Sequence, residues 1–252
     1  MIKILKKRIS NEKKILLSYK LRSFKAFFFP FDLNKLAKIH GSDKFGIHFY
    51  TQHYQHFFQK LKFKKINLLE IGVGGYDDPI RGGKSLRMWK SYFPFAKIIS
   101  IDIYDKSKLE ENRIKIYKGS QIDIELLEKI SNDIGEFDII IDDGSHENEH
   151  VIKSFEYLFP KLKIGGFYVI EDTQTSYWSS YGGSSENFNK KGTIYEFFKS
   201  KIDSLNYAEF EIENYQPNYY DKNIIAIHFF HNMIFIHKGE NNEHSNYIRK
   251  RI

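Results

Sequence analysis

The chain has no cysteine, which excludes disulfides, thiolate nucleophiles and cysteine-held metals and agrees with a cytoplasmic setting. Long apolar runs are lacking as well. The basic start, MIKILKKRIS, is not followed by an apolar stretch long enough for a signal segment. The most apolar patch nearby, residues 26–29, is cut by Pro30 and falls far short of the roughly 20 residues that a bilayer requires. These absences predict a soluble protein without stable membrane insertion. No internal repeat is visible.

What is present fits one α/β domain with an appendage better than two full domains: 252 residues, of which 41% are hydrophobic and 17% aromatic. Aromatic side chains serve cores and sugar- or base-stacking surfaces equally, so their abundance decides nothing alone. The net charge is +7, which suits nucleic acid, a membrane surface or an anionic small substrate. Much of the excess sits at the ends, in Lys3, Lys6, Lys7, Arg8, Lys13 and Lys14, and in Arg249, Lys250 and Arg251. Basic ends are commonly solvated tails, so nucleic acid is not expected as a partner.

Residues 1–60 read as a basic, intermittently helical segment, and residues 61–252 as the main domain with a short basic tail. The apolar side of the first 31 residues can lie on a membrane or a partner, but packing on its own domain or a sister subunit is the expectation. Asp32 caps a helix over 33–39 that stops at Gly41, and Thr51 is the expected cap of another, with Tyr54, Phe57, Phe58 and Leu61 on one face. Strands are then expected at 66–71, 97–103, 114–117, 137–141 and 167–170. Helices fall at 85–92, 122–130, 150–162 and 193–205. Residues 173–192 read as an irregular loop, and 223–230 with 233–237 as a hairpin about His231-Asn232. This rhythm predicts a Rossmann-like, mostly parallel sheet with helices on both faces and a C-terminal antiparallel hairpin.

The first strand ends Leu69-Glu70-Ile71-Gly72-Val73-Gly74-Gly75. Glycines there let the backbone turn sharply and approach a ligand. A dinucleotide fingerprint needs a further glycine at position 77, where Asp77 stands. Glu-x-Gly-x-Gly is similar to the first motif of S-adenosylmethionine enzymes, whose cofactor lacks the pyrophosphate. Asp102 ends the second strand, where a carboxylate can accept both ribose hydroxyls, although aspartate is also an ordinary turn residue.

The fourth and fifth strands end in acid pairs, Asp142-Asp143 and Glu171-Asp172. As sheet neighbours their tips lie about 5 Å apart. Like charges that close take up protons, separate or bind a cation, and oxygen donors favour Mg²⁺ over Zn²⁺. The blander reading has some of them capping helices and the rest facing water. His146 follows across Gly144-Ser145 and can remove a hydroxyl proton, although a lone histidine is often structural. His146-Glu147-Asn148-Glu149-His150 also spells H-E-x-x-H. In zinc proteases both histidines sit on one face of an established helix, whereas this stretch begins just beyond a strand end.

Taken together, HGSDKFGIHFY, LLEIGVGGYDDPIRGGKSLRMWKSYFP, FDIIIDDGSHENEHV, FPKLKIGGFYVIEDTQTSYW and IHFFHNMIFIHKG resemble the class I methyltransferases of the mycinamicin and tetracenomycin sugar-tailoring type. The resemblance implies a cofactor, S-adenosylmethionine, contacted by Glu70, Gly72 and Asp102, with Gly74, Asp142 and Gln121 in the same set. It also implies Mg²⁺ on Asp143, Glu171 and Asp172, and His146 as base working with Asp143. Ser42, Lys44 and Tyr50 are expected to close over the cofactor, and Tyr177 and Trp178 to face the sugar. The implied activity is O-methylation of a sugar hydroxyl on a nucleotide-linked sugar or glycoside, in surface polysaccharide or natural-product synthesis, by a homo-oligomer. An RNA methyltransferase and a non-catalytic scaffold are the rivals.

Overall fold

A computed structural model describes residues 10–245; the basic ends, Lys3 to Arg8 and Arg249 to Arg251, lie outside them. Ser10 caps α1 (Asn11–Ala26), its hydroxyl accepting from the Lys13 amide. Asp32 does the same for α2 (Leu33–His40) through the Lys35 amide, and Gly41 ends that helix at φ 75°. In α3 (Thr51–Phe58) the expected cap, Thr51, is instead the first helical residue. Its hydroxyl has found a tertiary partner, donating to Asn34 on α2 at 2.6 Å.

The alternating part comprises β1 (Asn67–Ile71), α4 (Lys84–Tyr92), β2 (Lys97–Asp102), β3 (Ile114–Lys118), α5 (Ile124–Ile134), β4 (Phe137–Asp142), α6 (Asn148–Leu158), β5 (Leu162–Glu171), α7 (Ile194–Leu205), α8 (Tyr219–Asn223), β6 (Ile224–Phe230) and β7 (Met233–Lys238). The strands form one sheet in the order β3-β2-β1-β4-β5-β7-β6. The first five are mutually parallel, and β7 runs antiparallel between β5 and β6. Reversal of strand order about β1 leaves a crevice at the carboxyl edge, the usual ligand position in open α/β sheets.

β5 starts earlier than the sequence predicts. Gly165-Gly166 marks a bulge, not a strand start: Phe137 pairs with Leu162, then the register jumps to Ile139 with Phe167, and Gly165 takes φ 82°. The helix expected at 150–162 is α6, which starts two residues earlier and ends four earlier, followed by a 3-10 turn, Phe159–Lys161, carrying Pro160.

Side chains on successive strand residues enter opposite cores. Leu68, Ile98, Ile139 and Val169 pack under α2, α3 and α4. Leu69, Ile99, Ile140 and Ile170 pack under α5, α6 and α7. The first core is largely aromatic, with Tyr54, Phe58, Trp89 and Phe93 fully buried. The early helices therefore share a core with the sheet, and the α2–α3 loop is carried to its carboxyl edge.

Candidate active site

Strand register builds the site. Ile71 pairs with Asp142, and Asp142 with Ile170, so the next residues, Gly72, Asp143 and Glu171, stand in a row across three strand ends. Gly72 sits at φ 97°, and a Cβ there would meet the Asp143 carbonyl oxygen at 2.1 Å. This glycine is demanded by the close backbone crossing. Gly74, at φ 75°, has open space where its Cβ would point. The turn is held from the next strand by Asp102, whose carboxylate accepts from the amides of Val73 and Tyr104, each at 2.9 Å.

A lysine occupies the middle of the acid row. Lys44, 1% exposed, places Nζ 2.7 Å from Asp143 Oδ2, 2.6 Å from Glu171 Oε1 and 3.2 Å from Glu70 Oε1. It is delivered by the α2–α3 loop, where its carbonyl accepts from the Tyr50 and Thr51 amides and its own amide reaches the buried Ser42 hydroxyl at 3.4 Å. Burial lowers the Lys44 pKa, but Asp143, Glu171 and Glu70 outweigh it and hold the ammonium well above its ordinary value. Burial, with Asp143 adding to it, pushes Glu171 well up despite Lys44. Glu70 is pushed up to about 7 by burial, against the pull of Lys44. Neither of its oxygens has a hydrogen bond of good geometry. Lys44 thus serves as a built-in counter-ion for carboxylates that otherwise resist ionisation.

Tyr54 joins this set unannounced by the sequence. Its hydroxyl donates to Glu171 Oε1, the oxygen that Lys44 also takes. It reads as one more apolar residue on the α3 face, because nothing in its spacing distinguishes a ring with a buried polar tip.

On the outer side of the row, Asp143 Oδ1 and Asp172 Oδ2 lie 3.9 and 3.7 Å from His146 Nε2. Among the described residues, these three offer ligand atoms all within 4.8 Å of one another. His146 and Asp172 both adopt left-handed backbone, at φ 58° and 54°, at a cost of about 1–3 kcal/mol each. Asp172 is fixed by the Tyr50 hydroxyl at 2.7 Å. Burial, followed by Asp172, raises the Tyr50 pKa, so the phenol keeps its proton and acts as donor. The donor set of carboxylate oxygens, whose far sides are pinned by Lys44 and Tyr50, fits a hard divalent cation.

The remaining predicted residues fall into two groups. Asp142 and Gln121 are buried behind the turn and bonded to each other at 3.1 and 3.2 Å. Gln121 accepts from the Ser145 amide at 2.8 Å, while Asp142 also accepts from Ser154. They fix the loop that carries His146, and burial pushes Asp142 up to about 6. The H-E-x-x-H stretch does not form a zinc site: α6 starts at Asn148, beyond His146, and His150 turns to Ser145 Oγ at 3.0 Å. Tyr177 and Trp178, half-exposed, stand on the loop after β5.

A family model described as rhamnosyl O-methyltransferase/CmcI matches residues 84–215. This chain belongs to that family. Mycinamicin VI 2''-O-methyltransferase of Micromonospora griseorubida is 45% identical over 84% of the chain and 54% of its own length. An 8-demethyl-8-(2-methoxy-alpha-L-rhamnosyl)-tetracenomycin-C 3'-O-methyltransferase of Streptomyces olivaceus is 41% identical over 85% of the chain and 55% of its own. The chain therefore spans about half the length of these family members. A crystal structure of the MycE methyltransferase of the mycinamycin biosynthetic pathway, in complex with Mg and SAH, superposes with a TM-score of 0.83 at 44% identity. That match covers 88% of this chain and 58% of the other, and the fold is that of the class I methyltransferases. Another crystal structure of the same enzyme also contains mycinamycin VI.

Proposed function

We propose that this chain is an S-adenosylmethionine-dependent O-methyltransferase that acts, with Mg²⁺, on a sugar hydroxyl. The observation that carries the reading is the convergence of Asp143, His146 and Asp172 at the sheet edge beside the glycine turn. In support, the MycE structures hold Mg and SAH, one of them with mycinamycin VI.

Gly74 leaves the turn open to an adenosyl ligand, and Gly72 lets the strand end cross the Asp143 backbone beside it. Asp102 retains a lone pair on each oxygen for ribose hydroxyls, and Ile103, 59% exposed, offers an apolar surface for adenine. Glu70, buried at the end of the strand that leads into that turn and held by Lys44 at 3.2 Å, is the further carboxylate assigned to the cofactor. Asp143, Asp172 and Glu171 would hold Mg²⁺, which when bound acidifies an acceptor hydroxyl.

His146 is assigned as the base and not as a ligand, because a nitrogen that gives its lone pair to a cation cannot take a proton. Its Nε2 receives the hydroxyl proton while oxygen, methyl carbon and sulfur are kept in line. Asp143 and Asp172 then face the imidazolium so formed. Lys44 and Tyr54 keep Asp143 and Glu171 from swinging inward or outward, and Tyr50 does the same for Asp172. Tyr177 and Trp178 offer aromatic faces to a sugar ring.

The acceptors we propose are glycosides or nucleotide-linked sugars of bacterial surface polysaccharide or natural-product synthesis, and the working form we propose is a cytoplasmic homo-oligomer. A screen of rhamnosides and nucleotide-linked sugars with S-adenosylmethionine and Mg²⁺, read by mass spectrometry, tests this. A methyl gain on a sugar is expected. Methyl transfer to RNA alone, or to nothing offered, would defeat the reading.

A further inference from the structure

The outer face of α1 has a pattern that methyl transfer does not use. The inner face is anchored: Ala26 is buried, the Tyr19 hydroxyl donates to the Ile80 carbonyl at 3.2 Å, and Arg22 donates to the His40 carbonyl at 2.7 Å. Orientation of the helix is therefore set by the protein itself. On the opposite side Leu17, Leu21 and Phe24 recur at spacings of four and three, which lines them along one stripe, and the Phe28 ring, in the turn after the helix, packs on Phe24 at 5.6 Å between centroids. Phe24 is 67%, Phe28 63% and the adjoining Phe27 77% exposed. From Leu17 to Phe24 the stripe runs about 10 Å along the axis.

Lysines border it on both sides. Lys13 and Lys20, seven residues apart, line one margin; Lys14 and Lys25, eleven apart, line the other. All four are exposed. The helix has one acidic residue, Glu12, and it is paired with Lys108 at 3.3 Å. The exposed rings can enter acyl chains while the flanking ammonium groups meet lipid phosphates. No helix among the described residues is long and apolar enough to cross a membrane, so the contact is one of adsorption.

We propose that α1 seats this protein on an anionic phospholipid surface through Leu17, Leu21, Phe24, Phe27 and Phe28. A second copy is the other occupant such a stripe attracts. Charge argues against it, because a two-fold contact along the stripe brings each row of lysines against lysines of the other copy with no acid on the helix left to pair them. The proposal stands apart from the reading of the active site, since no residue of that site takes part.

The test is co-sedimentation of the full chain with sucrose-loaded vesicles of phosphatidylcholine alone, or with about 30% phosphatidylglycerol. Binding is expected to the anionic vesicles and to weaken severalfold in high salt. The Phe24→Ser/Phe28→Ser pair should lose about tenfold or more in partitioning while keeping the parent's thermal midpoint, because both rings are exposed. A Lys13→Gln/Lys14→Gln/Lys20→Gln/Lys25→Gln variant should lose severalfold with its rings intact. Failure of the parent to bind anionic vesicles overturns the proposal. So does undiminished binding by the phenylalanine variant, which would reduce the effect to general charge. Concentration-dependent dimerisation that the same variant abolishes, without lipid binding, would assign the face to a second copy instead.

Discussion

Replacing Lys44 by methionine keeps the volume and removes the charge from a site where three carboxylates meet. Glu70 and Glu171 are buried, and the Asp143 side chain is 26% exposed, so little water can enter to compensate. Removing one partner of a buried ion pair costs about 3–5 kcal/mol. Each carboxylate has an escape, which is to bind a proton. Burial already holds Glu70 near 7 and Glu171 well above its ordinary value, and without the ammonium both rise further. The folded variant then binds more protons than the unfolded chain at mildly acid pH, so its stability increases as pH falls relative to the parent. Urea unfolding of Lys44→Met, followed by tryptophan fluorescence and circular dichroism, should show the full loss at pH 8. At pH 5.5 the loss should be smaller by about 1–3 kcal/mol. Parent-like stability at pH 8, or a deficit that grows on acidification, would refute the counter-ion role.

Other outcomes follow from the same geometry. His40 is buried, and burial, with Arg87, Arg22 and Lys90, lowers its pKa to about 4. Between about pH 6.5 and 4 the unfolded chain binds a proton that the folded one refuses, so stability rises with pH through that window and about 3 kcal/mol is lost on crossing it downward; His40→Gln should flatten the urea-midpoint profile there. Tyr54→Phe removes one buried donor to Glu171 and should cost about 1–3 kcal/mol in the same unfolding assay. His146→Ala should cut turnover by about 10²–10⁴-fold with cofactor affinity unchanged, and thorough chelation should inhibit the parent; full activity after chelation removes the metal from the account.

The parallel strands were legible because each buried strand is a short apolar run closed by glycine or acid, and the order of motifs put Gly72, Asp143 and Glu171 at strand tips. Register turned those tips into a row, and register is a tertiary property. Lys44 is expected from the sequence only to close over the cofactor; its place among the acids lay beyond reach for a related reason, since it comes from a loop 99 residues before Asp143 in the chain. Tyr54 was hidden among apolar neighbours. The strand expected at 167–170 begins earlier because Gly165-Gly166 forms a bulge inside β5, and a bulge inside a strand and a turn before one require the same backbone freedom. Asp142 and Gln121 illustrate the opposite difficulty. A polar residue at a strand end can serve a ligand or the adjoining loop, and here each bonds to the other and to that loop.

The central claim is that the sheet edge beside Gly72 and Gly74 takes an adenosyl ligand next to a cation held by the acid row. Calorimetric titration of S-adenosylhomocysteine into the folded chain, with and without Mg²⁺, tests it most directly. One ligand should bind per chain, and a separate Mg²⁺ titration should lose its heat in Asp172→Asn while the nucleoside still binds. A folded chain that takes up neither ligand would contradict the account.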